Sequence, residues 1–115
     1  MTARVGEVAL FTADVEATRR FYETLLGVAP ATEWPGAVLF AADDVTILVH
    51  ERMPASGDGP PNEDHVAFAV PDLDRACTEL RAAGLDLLVE PRDFPWGRSA
   101  YLRDPDGRLV ELAQA

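Results

Sequence analysis

Four residues that can ligate an ion, hold a proton or pair with one another each sit in an apolar, strand-like run. They are Glu7 in VGEVALF, His50 closing VTILVH, His65 opening HVAFAV and Glu111 in RLVELA. A carboxylate inside a strand needs a partner, because burying an unpaired charge is costly. Strand side chains alternate between faces, so each run divides into two sets. Val8 and Leu10 oppose Glu7 and Ala9, while Val66, Phe68 and Val70 oppose His65, Ala67 and Ala69. Val45, Ile47 and Val49 oppose Thr46, Leu48 and His50, and Val110 and Leu112 oppose Leu109, Glu111 and Ala113. The bulky sets read as the face packed under helices. The other sets combine small residues with one or two polar ones, and read as the floor of a cavity lined by ligand-type groups.

The elements that must position these groups repeat. The first strand alternates to Phe11, Asp14 is a predicted N-cap, and the helical stretch carries Val15, Phe21, Tyr22, Leu25 and Leu26 before Gly27 stops it. Three strand candidates follow at Ala31–Trp34, Ala37–Ala41 and Val45–His50, separated by Pro35-Gly36 and Asp43-Asp44 turns. Residues 51–64, polar and rich in Pro and Gly, read as a linker. The second half then restarts: at an offset of 58, His65 falls on Glu7, Val66 on Val8, Ala67 on Ala9 and Asp72 on Asp14. Gly84 answers Gly27 with one residue lost, and Leu85–Val89, Arg98–Arg103, a DPDG turn and Arg108–Ala113 complete a second βαβββ pattern. Such self-similarity implies a duplicated unit. Two copies, packed about a pseudo-twofold axis, give module one at about 5–50 and module two at about 65–113 of a single 1–115 domain.

Composition narrows the partners. A chain of 115 residues is long enough for one core that buries roughly two-thirds of its unfolded surface. No apolar run approaches the roughly 20 residues of a membrane span, and MTARVGEV lacks a signal-peptide core, so a cytoplasmic protein is expected. Twenty acidic residues against ten arginines, with no lysine, give a net charge of −10. That field repels phosphate backbones, which argues against nucleic acid, and suits a cationic ligand. The lone cysteine, Cys77, falls in a helical pattern and reads as a small buried thiol.

The pieces VALFTADVEATRRFYETLLG, DHVAFAVPDLDRACTELRAAG and YLRDPDGRLVEL, which lie between Val8 and Leu112, resemble the vicinal oxygen chelate superfamily. That superfamily includes glyoxalases, fosfomycin-resistance transferases, extradiol dioxygenases, epimerases and bleomycin-binding proteins. The resemblance implies an α+β fold: two tandem βαβββ modules curl into a cup-like mixed sheet with helices outside. It also implies metal ligands on the first and last strands of each module. By position these are Glu7, a residue near Leu48, His65 and Glu111. His65 and Glu111 match the usual types, Glu7 replaces the usual His, and Leu48 cannot ligate, which leaves three protein ligands. His50 lies two residues further along the same face, one strand pitch of about 6–7 Å away. Tyr101 falls where the fosfomycin branch keeps a substrate-contacting tyrosine.

A cup holding Glu7, His65 and Glu111 around a divalent ion would suit Mn, Fe, Ni or Zn. The expected chemistry is that of a glyoxalase-like enzyme, isomerase, lyase or transferase, chelating substrate oxygens. Glu111 is the first candidate base, Glu7 the second, and Tyr101 joins them as a catalytic candidate. Trp34, His50, Trp96, Arg98 and Tyr101 are the candidate substrate-binding residues, with Arg98 able to clamp an anion. The alternative is a metal-free, antibiotic-binding protein of the bleomycin-binding type, in which Glu7 and His65 pair across the cup. The resemblance implies a homodimer in either case.

Overall fold

A computed structural model describes residues 2–54 and 59–115, so part of the expected linker, residues 55–58, lies outside the described residues. Ten elements follow one another: β1 (Arg4–Thr12), α1 (Val15–Leu26), β2 (Thr32–Trp34), β3 (Ala37–Ala42), β4 (Val45–Glu51), β5 (His65–Val70), α2 (Leu73–Ala82), β6 (Val89–Phe94), β7 (Gly97–Arg103) and β8 (Leu109–Gln114). The helices start as the sequence dictates. The Asp14 side chain accepts from the Ala17 N–H at 3.0 Å, and Asp72 does the same for Arg75 at 3.2 Å. Each cap satisfies one of the donors that the first helical turn leaves unpaired. Gly27 closes α1 in the left-handed region, at φ 72°, and its N–H returns to the Glu23 carbonyl.

The strands form one mixed sheet in the order β2-β3-β4-β1-β5-β8-β7-β6. β1 and β5 meet antiparallel at its centre, and each runs parallel to the last strand of its own half, β4 or β8. The central register is itself symmetric. Glu7 lies opposite Ala67 and Ala9 opposite His65, on either side of the Val8–Val66 pair. With the offset of 58, each of these pairs is the image of the other, so the pseudo-twofold axis passes through Val8 and Val66.

The bulky faces pack outward beneath the helices. Val38, Phe40 and Val49 form one buried cluster with Val15, Tyr22 and Leu26 of α1 against it. Val70, Leu73, Ala76, Cys77, Ala100, Leu102 and Leu112 form the other, under α2. Cys77 is thus a fully buried core thiol, and burial raises its pKa. Of the apolar residues in α1, Phe21 and Leu25 face solvent, 60% and 65% exposed, because Val15, Tyr22 and Leu26 occupy the stripe that meets the sheet. One expectation is corrected here: the sixth strand is not Leu85–Val89 but Val89–Phe94. Leu85 is held at the end of α2 by a bond from its N–H to the Leu80 carbonyl, and Pro91 lacks a ladder donor, so the β6–β7 register shifts between Val89 and Arg92.

The duplicated caps carry a prediction. Asp14→Ala and Asp72→Ala should each lower unfolding free energy by about 1 kcal/mol, and the double variant should show the sum because the two helices share no partner. Urea titration measures this; a strongly non-additive double variant would contradict the independence of the two helix starts.

Candidate functional site

The inward face of the sheet encloses a cavity of about 680 Å³. Glu7, Ala9 and Phe11 reach it from β1, Leu39 from β3, Leu48 and His50 from β4, and His65 from β5. Ser99 and Tyr101 enter from β7, and Glu111 and Ala113 from β8. Strand alternation places all of these on one side. Trp34 and Trp96, each half exposed, stand at the two hairpins on the rim. Met53, Pro54, Pro60, Pro61 and Asn62 add a wall from the loop between the halves. The Asn62 amide binds that loop to itself by donating to the Met53 and Pro54 carbonyls at 3.2 and 3.1 Å.

At the floor, the His65 imidazole lies between two acceptors. Nδ1 meets the Glu63 carbonyl at 2.8 Å and Nε2 meets Glu111 Oε1 at 2.9 Å. The doubly protonated ring supplies both donors. Burial pulls the His65 pKa down, but the Glu111 bond, the Glu63 carbonyl and the charges of Glu111 and Glu7 outweigh it and raise it above the ordinary value. Ser99, 1% exposed, donates to the other Glu111 oxygen at 2.7 Å. The Glu63 side chain in turn accepts from Arg103 at 2.6 Å, which anchors the backbone that orients His65. Glu7 is apart from this chain of bonds, beside the Thr46 hydroxyl; desolvation, and then the like charge of Glu111, raise its pKa. Tyr101 is buried against Glu111, and burial followed by the Glu111 charge raises its pKa too, so its phenol stays neutral.

The two halves of the floor are unequal. Ala9 pairs with Leu48 as Ala67 pairs with Glu111, so Leu48 is the structural counterpart of Glu111. One strand further out, Leu39 answers Tyr101 and Ala37 answers Ser99. Module two therefore presents His65, Glu111, Tyr101 and Ser99, where module one presents Glu7, Leu48, Leu39 and Ala37. His50 stands one pitch beyond Leu48, its Nδ1 against its neighbour's carbonyl at 2.7 Å and its ring 5.3 Å from Phe11. Arg98 borders the cavity, but its guanidinium holds Asp74 on α2, at 2.9 and 3.2 Å, and Asp93 at 3.3 Å. An anion clamp would have to break that pairing.

A divalent ion does not fit these side chains as they stand. Glu111 is engaged at both oxygens, the fourth strand offers Leu48, and among the described residues no three His, Cys, Asp or Glu groups are gathered closely enough to hold one. The sequence did not point to Ser99 or to the loop wall. Ser99 had a readable signal, since it alternates with Tyr101 onto the polar face. The loop residues had none, because Pro and Gly carry no periodicity.

An eight-stranded mixed sheet built from two βαβββ halves, with a cavity on its inward face, defines a glyoxalase-type fold. Residues 4–112 match the Glyoxalase/Bleomycin resistance protein/Dioxygenase superfamily, and the chain belongs to it. It is 32% identical to a lactoylglutathione lyase of Pseudomonas aeruginosa, over 84% of this chain and 62% of that protein. It is 35% identical to the anthracycline biosynthesis protein DnrV of Streptomyces peucetius, over 96% of this chain and 42% of that protein. A crystal structure of a superfamily member from Vibrio splendidus superimposes with a TM-score of 0.74 at 18% identity, covering 99% of this chain and all (100%) of that one. Among the described residues no helix is long and apolar enough to cross a membrane.

The pKa directions give a pH prediction. His65 has a folded pKa above its unfolded 6.5, so the stability from its pair with Glu111 is complete below 6.5 and lost as pH rises through the folded value. Glu7 acts in the same direction: the fold resists its ionisation, so stability falls as pH rises through its raised pKa. The urea midpoint should decline as pH rises from 4.5 through the raised pKa values of Glu7 and His65, with His65→Gln flattening the upper part and Glu7→Gln the lower. Unchanged slopes in both variants would contradict the assignment.

Proposed function

We propose that the cup binds a small organic molecule without a resident metal, as a binding or sequestering protein. One observation carries this reading: the bonds of Glu111 to His65 and Ser99 close the polar floor on itself, beneath a cavity walled by Trp34, Trp96, Phe11 and Leu48. Flat aromatic and aliphatic walls favour a planar ligand, because aromatic pairs add about 0.5–1.5 kcal/mol beyond the area they bury. The likeness to a protein named for anthracycline biosynthesis agrees with a planar, fused-ring ligand.

A second reading, a glyoxalase-like, metal-dependent enzyme, is favoured by the His65 anchor. An Nδ1 fixed on a backbone carbonyl is the arrangement that leaves Nε2 to ligate. It requires Glu111 to part from His65 and Glu7 to join them. In that reading Glu7, His65 and Glu111 would hold Mn, Fe, Ni or Zn, the metal would supply Lewis-acid charge, and Tyr101 would contact substrate.

Chelator-treated protein separates the two. In the metal-free reading, a planar aromatic probe quenches tryptophan fluorescence with the same affinity before and after chelation. Trp34→Ala and Trp96→Ala should each weaken that binding by roughly three- to tenfold. Loss of binding on chelation, restored by one equivalent of Zn²⁺ or Mn²⁺, would overturn it.

The protein also works as a homodimer in this proposal. Phe21, Leu25 and Val28, exposed along and just beyond α1, support it as an apolar stripe that a second copy would cover. Sedimentation equilibrium should give twice the chain mass, and Leu25→Glu should return the monomer; a wild-type monomer at micromolar concentration would contradict it.

A further inference from the structure

The DPDG turn between β7 and β8 lines no part of the cavity, yet its bonds lead to the floor. Asp104 closes the turn: its Oδ1 accepts from the N–H groups of Asp106 and Arg108, and its carbonyl from that of Gly107, each at 2.9 Å. Gly107 takes φ 85°, where a side chain is strained. Its carbonyl accepts from Arg103 Nη1 at 2.9 Å, while Arg103 Nη2 donates to Glu63 Oε1 at 2.6 Å. Residues 62–64 then bind in separate directions. The Asn62 amide donates to the Met53 and Pro54 carbonyls of the cavity wall at 3.2 and 3.1 Å. The Glu63 carbonyl accepts from His65 Nδ1 at 2.8 Å, and Asp64 Oδ1 accepts from the Phe11 N–H at 2.7 Å.

We propose that Arg103, set by the DPDG turn, is a positioning residue for the cup. Through Glu63 it fixes both the His65 ring and the short segment that carries the wall. The ion pair itself is half exposed, at 38% and 45% for the two side chains, so it adds little to global stability. Its service is directional: a hydrogen bond weakens steeply off its axis, so the ring follows the carbonyl it donates to. Module one lacks the device. Ala41 pairs with Thr46, two residues before Leu48, as Arg103 pairs with Leu109, two before Glu111. Likewise Val5 stands two residues before Glu7, as Glu63 does before His65. The clamp therefore accompanies the histidine rather than the duplicated fold. A carbonyl only accepts, so Nδ1 carries a proton whatever faces Nε2. The role goes beyond the reading of the cup as a metal-free site and would stand if that reading failed.

Hydrogen exchange, followed in ¹H–¹⁵N spectra of the ligand-free protein, tests this. In Arg103→Met the His65 Nδ1–H and the Phe11 amide should exchange roughly two- to fivefold faster, the size a half-exposed ion pair supports. The amide of Val49, in the buried cluster of the other half, should keep its rate. Glu63→Gln should act in the same direction, and the double variant should exceed neither single one, because both remove one contact. Arg103→Lys, which keeps a cation near Glu63, should restore most of the protection. Gly107→Ala, strained at its φ, should resemble Arg103→Met. Arg108→Met is the control: Arg108 pairs with Asp104 and Asp106 on the same turn, and its loss should leave both signals unchanged. Unchanged His65 exchange in Arg103→Met, additive effects in the double variant, or a Val49 rate raised by the same factor overturns the assignment. A silent Gly107→Ala removes the turn from it.

Discussion

The antiparallel pairing of β1 with β5 about Val8 and Val66 is the constraint on which the rest of this structure depends. A one-residue slip in strand register would send a whole side-chain set to the opposite face. In the observed register Glu7 and His65 face the same cavity, and the parallel strands β4 and β8 bring Leu48 and Glu111 alongside them. Bulky residues on the reverse face, capped by α1 and α2, hold that register, because a slip would expose Val49, Val70 and Leu112 together.

Duplication gave the cup its shape, and divergence gave it direction. Equivalent backbone positions carry Leu48 and Glu111, Leu39 and Tyr101, Ala37 and Ser99. One half has become a polar network in which Ser99, Glu111, His65 and the Glu63 carbonyl satisfy one another. Every buried side-chain N or O among the described residues has a partner, so the network rigidifies the site without leaving an orphaned group. The other half is apolar at Leu48 and Leu39, with His50 one pitch further along β4. Glu7 sits at the boundary, where desolvation, and then the like charge of Glu111, raise its pKa.

Much of this was legible in the sequence because local physics determined it. The Asp14 and Asp72 caps, the Gly27 stop and the alternation in ALF and AFA follow from groups a few residues apart. The superfamily, the double βαβββ order and the curved mixed sheet follow from the repeat, and the comparisons and topology agree. What the sequence hid depends on contacts distant along the chain. The shift of the sixth strand depends on Pro91 against β7, and the engagement of Arg98 on Asp74 of α2, 24 residues away. The two oxygens of Glu111 were open to any partner until β5 and β7 brought His65 and Ser99 to them. In the fold each Glu111 oxygen has a hydrogen-bond partner, His65 on one side and Ser99 on the other.

The central claim is that His65 is a hydrogen-bonded imidazolium facing Glu111, with no resident metal ion. The ¹⁵N resonances of its ring, recorded on chelator-treated protein near pH 6 and again with one equivalent of Zn²⁺, test it most directly. The account predicts two protonated nitrogens in both spectra. A shift of Nε2 alone on adding zinc, with Nδ1 still protonated, would show a coordinated imidazole and contradict it.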